Sequence, residues 1–265
     1  MPPARLGLYA FTTIALIVLV RSLLGHPPGL VLAVGILVAY LAYVLAGVFV
    51  LSLRMWVDAV CRGPAGSRGV ALTFDDGPHP TWTPRILDEL DRHRASATFF
   101  VVGKKAEVHP ELVREIRRRG HTIGIHGHAH DRFFALRSAA RIRADLVLAK
   151  ALLEGILGEE VRWFRPPIGH TNPTIGRVAD ELDLVTVGWS ARGFDGLRPA
   201  DVDGVAARIQ RDLRDGAIVL LHDSRETGDE APASIEVLPR VLAHAHASRL
   251  EIVPLRDWVD DVSRS

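Results

Sequence analysis

The sequence has little cysteine, no large excess of charge of either sign, and almost no charge in its first 56 residues. Cys61 is the only cysteine, which excludes an intrachain disulfide and a zinc site made of cysteines. The 32 basic and 31 acidic residues nearly cancel, so the chain lacks the basic domain or stripe of a general nucleic-acid-binding protein. Its 265 residues allow one large domain with a small appendage and disfavour two full-sized domains.

The first 56 residues have the composition of a membrane anchor. Residues 30–53 contain no charged side chain, and a helix of that length crosses a hydrocarbon core of roughly 30 Å. A second apolar stretch, 6–24, qualifies if Arg21 extends its side chain to the interface. A cleaved secretory signal is the alternative, but no small-residue cleavage site follows this stretch. The turn-rich sequence between the two stretches instead predicts a hairpin of two transmembrane helices, about 6–24 and 30–53, within residues 1–56.

Beyond residue 69, apolar and β-branched runs alternate with segments of helical periodicity. The runs, each a candidate strand, are 70–74, 97–102, 122–125, 161–164, 184–189, 217–221 and 250–253. Alternation of this kind predicts a parallel sheet with helices packed outside it. Seven strands with polar residues at their ends favour a distorted (β/α)7-type barrel, with an open doubly wound sheet as the alternative. We expect this α/β domain over residues 69–265, joined to the anchor by a linker over 57–68.

Two adjacent carboxylates, Asp75 and Asp76, end the first candidate strand and precede Gly77 and Pro78, which force a turn. Neighbouring residues of an extended strand point in opposite directions, so the pair can perform two different tasks. One carboxylate could bind a metal while the other handles a proton. An isolated Asp-Asp-Gly-Pro sequence is more often a solvated turn, so the interpretation depends on its partners.

His126 and His130 follow the third candidate strand, and their spacing places both imidazoles on one side of a helical turn. Gly127 stands where the His-Glu-x-x-His motif of metalloproteases requires glutamate, which excludes that class. With Asp76, the two histidines form a two-histidine, one-carboxylate set that leaves positions for water and substrate. We interpret His128 as a neighbour of this set and not as a ligand. Hydrolases and non-haem iron oxygenases share such sets, so the ligands alone do not fix the reaction.

Polar stretches also follow three later candidate strands, at 164–173, 189–196 and 220–224. The five polar segments contain Thr73-Phe74-Asp75-Asp76-Gly77-Pro78, His126-x-x-x-His130, Arg165-Pro166-Pro167, Asp195 and His222. In order and interval they resemble the five motifs of the polysaccharide deacetylases, the NodB-homology or carbohydrate esterase family 4 group. The resemblance covers about residues 69–258 and implies a distorted (β/α) barrel that hydrolyses an acyl group from an amino sugar.

The resemblance also implies roles for the residues of the first three motifs. Asp75 would be the general base, and Arg165 would orient it. Asp76, His126 and His130 would bind one divalent metal ion. Zinc is the expected ion, with cobalt, nickel, manganese and iron as alternatives.

The remaining motifs imply the proton donor and the oxyanion site. His222 would be the general acid, Asp195 would hydrogen-bond it and raise its pKa, and the backbone N–H of Ile168 would help hold the oxyanion. Three positions depart from the family pattern. Gly127 replaces a serine or threonine but removes no ligand, and Ile168 replaces a tyrosine whose backbone N–H is the functional group. Gly196 replaces a tryptophan that usually walls the substrate groove, which weakens the inference of polymer binding most.

The expected substrate is an N-acetylglucosamine unit of a surface glycan, peptidoglycan or chitin-like oligosaccharide. One alternative is deacetylation or deformylation of a lipid-linked amino sugar, and another is hydrolysis of an O-acetyl ester. A catalytically silent, glycan-binding barrel belongs to a different class. The side chains needed for catalysis argue against it, because a binding module would be free to lose them. They are Asp75, Asp76, His126, His130 and His222.

The charge pattern bears on the side of the cell membrane at which the domain lies. If both apolar segments span, the amino terminus and the catalytic domain share one side. Four arginines flank that side and one flanks the other, so the positive-inside rule places the domain in the cytoplasm. The four are Arg5, Arg54, Arg62 and Arg68, and the one is Arg21. A first segment that does not span would place the domain outside, where mature wall glycan lies.

Overall fold

The computed structural model describes residues 1–196, 201–225 and 228–259. The end of the expected catalytic domain, 260–265, lies outside the described residues. Two long helices come first, α1 (Pro3–Leu23) and α2 (Leu30–Phe49). Both are long and apolar enough to cross a membrane, although a signal sequence meets the same criteria of length and composition.

The second helix is shorter than the apolar run that predicted it. α2 ends at Phe49, because Val50 leaves the helical region with φ −117° and ψ 86°. Residues Leu51–Leu53 then form a single 3-10 turn. This turn buries Leu51 in a small apolar cluster with Val57 and Ala59. The end of the apolar run therefore packs onto the following domain and does not continue the helix.

Seven strands occur within the described residues: β1 (Val70–Asp75), β2 (Ala97–Val101), β3 (Thr122–Ile125), β4 (Trp163–Phe164), β5 (Val185–Thr186), β6 (Ala191–Arg192) and β7 (Ala217–His222). They form one sheet in the order β5-β4-β3-β2-β1-β7-β6, and every neighbouring pair is parallel. This arrangement confirms the predicted parallel α/β fold. Fully buried apolar residues along β1, β2 and β7 explain why near-continuous apolar runs marked these strands.

The membership of the sheet differs from the sequence prediction at two places. The run 250–253 contributes a single bridge, between Ile252 and Val70, and no strand. It pairs only at the start of β1 before Pro254, which has no N–H to continue a ladder. The strand β6 was not predicted, because two residues are too few to show a periodicity.

Helices cover the outside of the sheet: α3 (Trp82–Arg92), α4 (Gly103–Val108), α5 (Pro110–Arg118), α6 (Ala139–Leu157), α7 (Pro173–Glu181), α8 (Val202–Asp212), α9 (Ser234–Ala247) and α10 (Arg256–Val259). The main core lies between these helices and the sheet. In α3, for example, Ile86, Leu87 and Leu90 share one buried face, as their spacing requires. The core fixes the strands and so fixes the positions of the residues at their ends.

The sheet curls into a half-barrel because its two edge strands are close in sequence. Only residues 187–190 separate β5 from β6, so extended chain allows the two edges to lie no more than roughly 17 Å apart. Val60 fills part of this gap: its N–H donates to the Thr186 carbonyl, and its carbonyl accepts from the Gly188 N–H. The segment 57–68, expected as a linker, is thus partly built into the barrel wall.

The end of α2 contacts the loop that follows β4. Thr171, on the loop after β4, donates its N–H to the Val48 carbonyl at 3.0 Å. Its hydroxyl lies 3.4 Å from the Gly47 carbonyl oxygen. The His170 ring packs edge-on against Phe49 with their centroids 4.8 Å apart. The apolar helix therefore contacts the loop that also carries Arg165 and Ile168.

Candidate active site

The register of the sheet brings together the residues at the ends of β1 and β7. Asp75 pairs with His222 across these strands, so a carboxylate and an imidazole lie side by side. Asp76 then adopts a left-handed backbone conformation with φ 76°, which interrupts the alternation of the strand. As a result the carboxylates of Asp75 and Asp76 both lie near the imidazole of His126. Asp75 Oδ2 is 3.7 Å and Asp76 Oδ1 is 3.5 Å from His126 Nε2.

Asp76, His126 and His130 form a candidate metal centre. One ligand atom from each lies within 4.8 Å of the other two, and Asp76 Oδ1 is 3.1 Å from His130 Nε2. His126 Nδ1 is 2.8 Å from the carbonyl oxygen of Arg165. A carbonyl can only accept, so Nδ1 carries the proton and Nε2 keeps its lone pair for a cation.

The donor set fits a divalent cation. Asp76 is buried, and its Oδ1 faces Nε2 of both His126 and His130. Burial opposes ionisation of Asp76, but hydrogen bonding to His130 and the charges of His222 and His126 lower the pKa of Asp76 well below its usual value. An ionised, buried carboxylate oxygen beside two imidazoles is a typical site for zinc and related ions.

The loop that carries the two histidines is held by a residue that sequence reasoning missed. The Asp145 carboxylate on α6 accepts from the backbone N–H of His128 at 2.7 Å and of Ala129 at 3.1 Å. Gly127 has φ +75°, and a Cβ built there would lie 3.1 Å from Asp145 Oδ1. Glycine suits this tight turn. Asp145 lies inside a regular helix with no local motif, so only the tertiary structure identifies it.

Arg165 is fully buried and connects β4 to the base candidate. Its Nη1 donates to Asp75 Oδ1 at 2.6 Å and to Thr73 Oγ1 at 2.9 Å. Its guanidinium also lies over the Phe100 ring, 4.2 Å from the centroid. These contacts hold the Arg165 guanidinium in one position. Because Asp75 is hydrogen-bonded to this rigid group, its side chain also has one favoured position. Its second oxygen, Oδ2, is the one that faces His126.

Backbone carbonyls complete the surroundings of Arg165. Nε donates to the Val187 carbonyl and Nη2 to the Gly188 carbonyl, at 3.2 and 2.9 Å. Both carbonyls belong to the connection between the two edge strands. Closure of the half-barrel therefore satisfies the buried guanidinium, and the sequence alone does not reveal this coupling.

His222 and Asp195 form a pair on the opposite side of the site, in which Asp195 is buried and the His222 side chain is 20% exposed. His222 Nδ1 is 3.0 Å from Asp195 Oδ1, and the His222 backbone N–H donates to Asp195 Oδ2 at 2.8 Å. Burial favours the neutral imidazole, but the Asp195 carboxylate outweighs it and raises the pKa of His222 to about 10. The imidazole is therefore protonated at neutral pH and holds a proton that it can donate.

Ile168 lies in a strained turn, Pro167–Gly169, directly after the Arg165 segment. Its backbone is left-handed, with φ 51° and ψ 8°, which is unfavourable for a β-branched residue. Its side chain is 44% exposed. A Cβ built on Gly127 would lie 3.4 Å from Pro167 Cγ, so the turn packs against the histidine loop.

Lys105, on α4, is a second residue that sequence reasoning missed. Its ammonium donates to the Asp76 carbonyl at 2.7 Å, and to Ser224 Oγ and the Arg225 carbonyl at 2.8 Å each. These contacts tie the backbone of a metal-ligand candidate to the loop after β7. No motif marks Lys105, because the contacts join three separate parts of the chain.

A buried carboxyl group supports the same turn. Asp223 accepts from Thr83 Oγ1 at 2.6 Å, and its backbone N–H donates to the Asp75 carbonyl at 3.2 Å. Burial raises the pKa of Asp223 to about 7. A Cβ built on Gly77 would overlap its carboxylate oxygens, which explains why glycine follows the two aspartates.

Comparison with known proteins places these groups in a family context. A family model described as polysaccharide deacetylase matches residues 62–187. The chain is 34% identical over 182 residues to a peptidoglycan-N-acetylglucosamine deacetylase of Bacillus cereus, covering 68% of this chain and 82% of the relative. It is 36% identical over 166 residues to a chitooligosaccharide deacetylase of Bradyrhizobium, covering 63% of this chain and 75% of the relative.

Solved structures show the same architecture. A crystal structure of a peptidoglycan N-acetylglucosamine deacetylase in complex with a substituted benzamide matches with a TM-score of 0.70 and 28% identity. The match covers 75% of this chain and 91% of that chain. A family 4 pseudoenzyme from Bacillus anthracis matches with a TM-score of 0.68 and 26% identity, covering 78% and 70%. The fold therefore occurs in both active and inactive proteins, and function must be argued from the site.

Proposed function

The chain belongs to the polysaccharide deacetylase family, and from this we propose that it is a metal-dependent hydrolase that removes an N-acyl group from an amino sugar. The acyl group is most simply acetyl, as in the names of the relatives. The observation that carries the proposal is the grouping of a candidate metal centre between two charged pairs, Asp75–Arg165 and Asp195–His222.

Asp76, His126 and His130 would hold the cation. When bound, a divalent cation lowers the pKa of water and polarises an amide carbonyl. Two imidazole nitrogens and one carboxylate oxygen favour zinc, with cobalt, nickel, manganese and iron as alternatives. His126 is prepared for this task, because its Nδ1–H is already engaged by the Arg165 carbonyl.

Asp75 would act as the general base. Arg165 occupies its Oδ1, and this leaves Oδ2, on the side of His126, to accept a proton from the attacking water. Arg165 would serve as a positioning residue, because it is buried and touches the base but not the reaction centre. This division explains why one aspartate of the adjacent pair binds metal and the other transfers a proton.

His222 would act as the general acid. An amine is a poor leaving group until it is protonated, and His222 carries a proton at neutral pH because its pKa is raised to about 10. Asp195 fixes Nδ1, so Nε2 would deliver the proton to the amide nitrogen. The backbone N–H of Ile168 would donate a hydrogen bond to the oxyanion.

For the substrate, we propose an N-acetylglucosamine-containing glycan. A lipid-linked amino sugar is the second candidate, and one contact favours it. The last turn of α2 hydrogen-bonds the loop after β4, so the site would lie close to a membrane crossed by α2. Hydrolysis of O-acetyl esters uses the same groups and is the third candidate. Gly196 stands where the family usually has a tryptophan, and a Cβ built on it would lie 3.2 Å from Cε1 of His222, so this position borders the proposed acid.

We also propose that residues 1–56 anchor the chain in the cell membrane as a two-helix hairpin, and that 69–265 is the catalytic domain. Contacts between α1 and α2 support the hairpin: Tyr43 donates to the Ala4 carbonyl at 3.1 Å, and its ring lies 5.2 Å from Phe11. On this arrangement the charge pattern favours a cytoplasmic catalytic domain.

Three substitutions test the reaction. Asp75→Asn should keep about one metal ion per chain yet lose most turnover, whereas His126→Ala should lose both. His222→Ala should lose about 10²- to 10⁴-fold in rate, the usual contribution of a positioned acid. Metal content is measured by elemental analysis, and turnover is measured on N-acetylated, N-formylated and O-acetylated glycans. His246→Ala, at an exposed residue of α9, is the matched control.

Two results would contradict the proposal. Near-wild-type turnover in His222→Ala would remove His222 from the mechanism. Wild-type protein that binds one metal ion but hydrolyses none of the substrates would favour the silent, glycan-binding alternative.

A further inference from the structure

A groove of about 1100 Å³ lies along the open seam of the half-barrel. Val185 of β5 and Arg192 of β6, the two edge strands, both line it. Its outer wall is formed by the chain that leaves α2, including Phe49 and Leu51. The groove is therefore on the same side of the molecule as the end of the apolar helix.

The lining of the groove combines positive charge with apolar surface. Among the residues that the structure describes, five arginines line it against one carboxylate, that of Asp212. The arginines are Arg54, Arg62, Arg192, Arg208 and Arg211. Aromatic side chains lie between them: Phe49, Trp189, Phe194 and Trp258. Such a lining matches a ligand with an anionic head and a hydrocarbon body, because each part of the ligand finds its complement.

Some of these arginines already have partners. Arg208 Nε donates to the Gly193 carbonyl at 2.9 Å, and Arg54 is 3.6 Å from Asp58. Arg211 is 3.5 Å from its neighbour Asp212. These contacts leave fewer arginines available to a ligand.

Arg62 and Arg192 make no ion pair with any residue that the structure describes. Arg192 lies over the Phe194 ring at 4.3 Å and near Trp189 at 5.5 Å. Stacking on aromatic rings holds the guanidinium in place while its N–H groups stay available. Arginine presents several donors in a planar fork and so binds phosphate well.

The position of the groove indicates where the hydrocarbon comes from. Phe49 is the last residue of α2, and it is 57% exposed at the rim of the groove. A helix that spans the membrane would place this residue near the lipid headgroups. A soluble anion would need the arginines but not the apolar wall. A membrane lipid uses both.

We propose that the groove binds a lipid phosphate, with the phosphate paired to Arg62 and Arg192 and the start of the hydrocarbon chain against Phe49 and Phe194. The inference rests on the membrane anchor proposed above and not on the hydrolytic reaction. Trp189 lines this groove and its ring also lies 5.7 Å from the Arg165 guanidinium, whereas the candidate metal ligands and proton-transfer residues are not part of the groove lining. The lipid site is therefore adjacent to the active site but distinct from it.

The test uses the full chain in a neutral detergent. Binding of phosphatidylglycerol, of a polyprenyl monophosphate and of phosphatidylcholine is measured by native mass spectrometry, with inorganic phosphate as a competitor. The double variant Arg62→Gln/Arg192→Gln removes the two groove arginines that make no ion pair within the described residues. The matched control, Arg94→Gln/Arg141→Gln, removes two exposed charges from other surfaces.

The groove variant should lose about tenfold or more in affinity for both anionic lipids, because it removes two guanidinium groups that would donate charge-assisted hydrogen bonds to the phosphate. The control should stay within about twofold of wild type. Equal losses in the two variants would reduce the effect to bulk charge, and unchanged binding in the groove variant would overturn the proposal.

Two further readouts keep the result interpretable. Inorganic phosphate that competes as well as the lipid phosphates would overturn the assignment to a lipid. Melting temperature and metal content show whether the double variant folds, and Arg192→Ala, at an exposed side chain, replaces it if it does not. Binding is measured without turnover, and wild-type activity is assayed separately on a soluble N-acetylchitooligosaccharide. Failure of the lipid site and failure of the proposed reaction are therefore distinguishable.

Discussion

Replacing Asp195 by asparagine removes the carboxylate that holds His222. Burial alone lowers the pKa of this imidazole, but Asp195, with smaller contributions from Asp76 and Asp75, raises it to about 10. A bound divalent cation offsets the charge of Asp76. The pKa of His222 in the metal-loaded enzyme should therefore lie between its ordinary value of about 6.5 and the value of about 10.

The size of the effect follows from the fraction of His222 that is protonated. If Asp195→Asn returns the pKa to about 6.5, only about 3% of the imidazole is protonated at pH 8. In the wild type the fraction is about half or more when the pKa of His222 in the metal-loaded enzyme is about 8 or higher. The variant should lose roughly 15- to 30-fold in kcat/KM at pH 8 from this cause. At pH 5.5 both forms are mostly protonated, and the loss should shrink to less than about twofold.

The direction in which kcat/KM changes with pH follows from the proposed role of His222 as a general acid. Activity that needs protonated His222 is present below its pKa and is lost as the pH rises through it. Asp195→Asn should therefore move the alkaline limb of the kcat/KM profile to lower pH by more than about one unit. The assay is a pH profile on a soluble N-acetylchitooligosaccharide at saturating metal. Asp180→Asn, at an exposed carboxylate of α7, is the control.

A loss that is the same at pH 5.5 and pH 8 would refute the reasoning. It would mean that Asp195 positions the ring without changing its protonation. An unchanged alkaline limb would mean that another group sets that limb.

Three other predictions address the supports of the site, its packing and the membrane. Lys105→Met should weaken zinc affinity by about tenfold in chelator competition, because it removes the contact with the carbonyl of a ligand residue, whereas Lys104→Met, at an exposed neighbour, should not. Gly77→Ala should destabilise the protein by about 1–3 kcal/mol, seen as a lower Tm, because its Cβ would overlap a buried carboxylate. Gly155→Ala, in open space on a helix, should not lower Tm. Equal Tm values for Gly77→Ala and the wild type would contradict the packing argument. A reporter fused after Ser265 should fluoresce in the cytoplasm, and alkaline phosphatase activity there would instead place the domain outside the membrane.

The sequence alone was sufficient for the class of fold, and it singled out candidate residues that the structure brings together, such as Asp76, His126 and His130. Strands such as 70–74 and 217–221 are buried on both faces, so they appear as continuous apolar runs that need no structure to be recognised. The motif residues follow directly after these runs, since catalytic groups in parallel sheets lie at the carboxyl ends of strands. The family resemblance rests on these same local patterns, and the comparisons confirm it.

Only the tertiary structure showed which short segments pair with the sheet and which residues hold the site residues in place. β6 is two residues long and forms because it meets β7, a partner distant in sequence. Val60 belongs to the barrel wall because its backbone pairs with Thr186 and Gly188, which lie far from it in sequence.

The residues that hold the site in place show the same division. Lys105 and Asp145 hydrogen-bond the backbone of other segments. Arg62 and Arg192 line the same groove only because the sheet curls. Local patterns record what a residue does within its own strand or helix. Contacts between distant segments depend on how the chain closes on itself, and no short stretch of sequence carries that information.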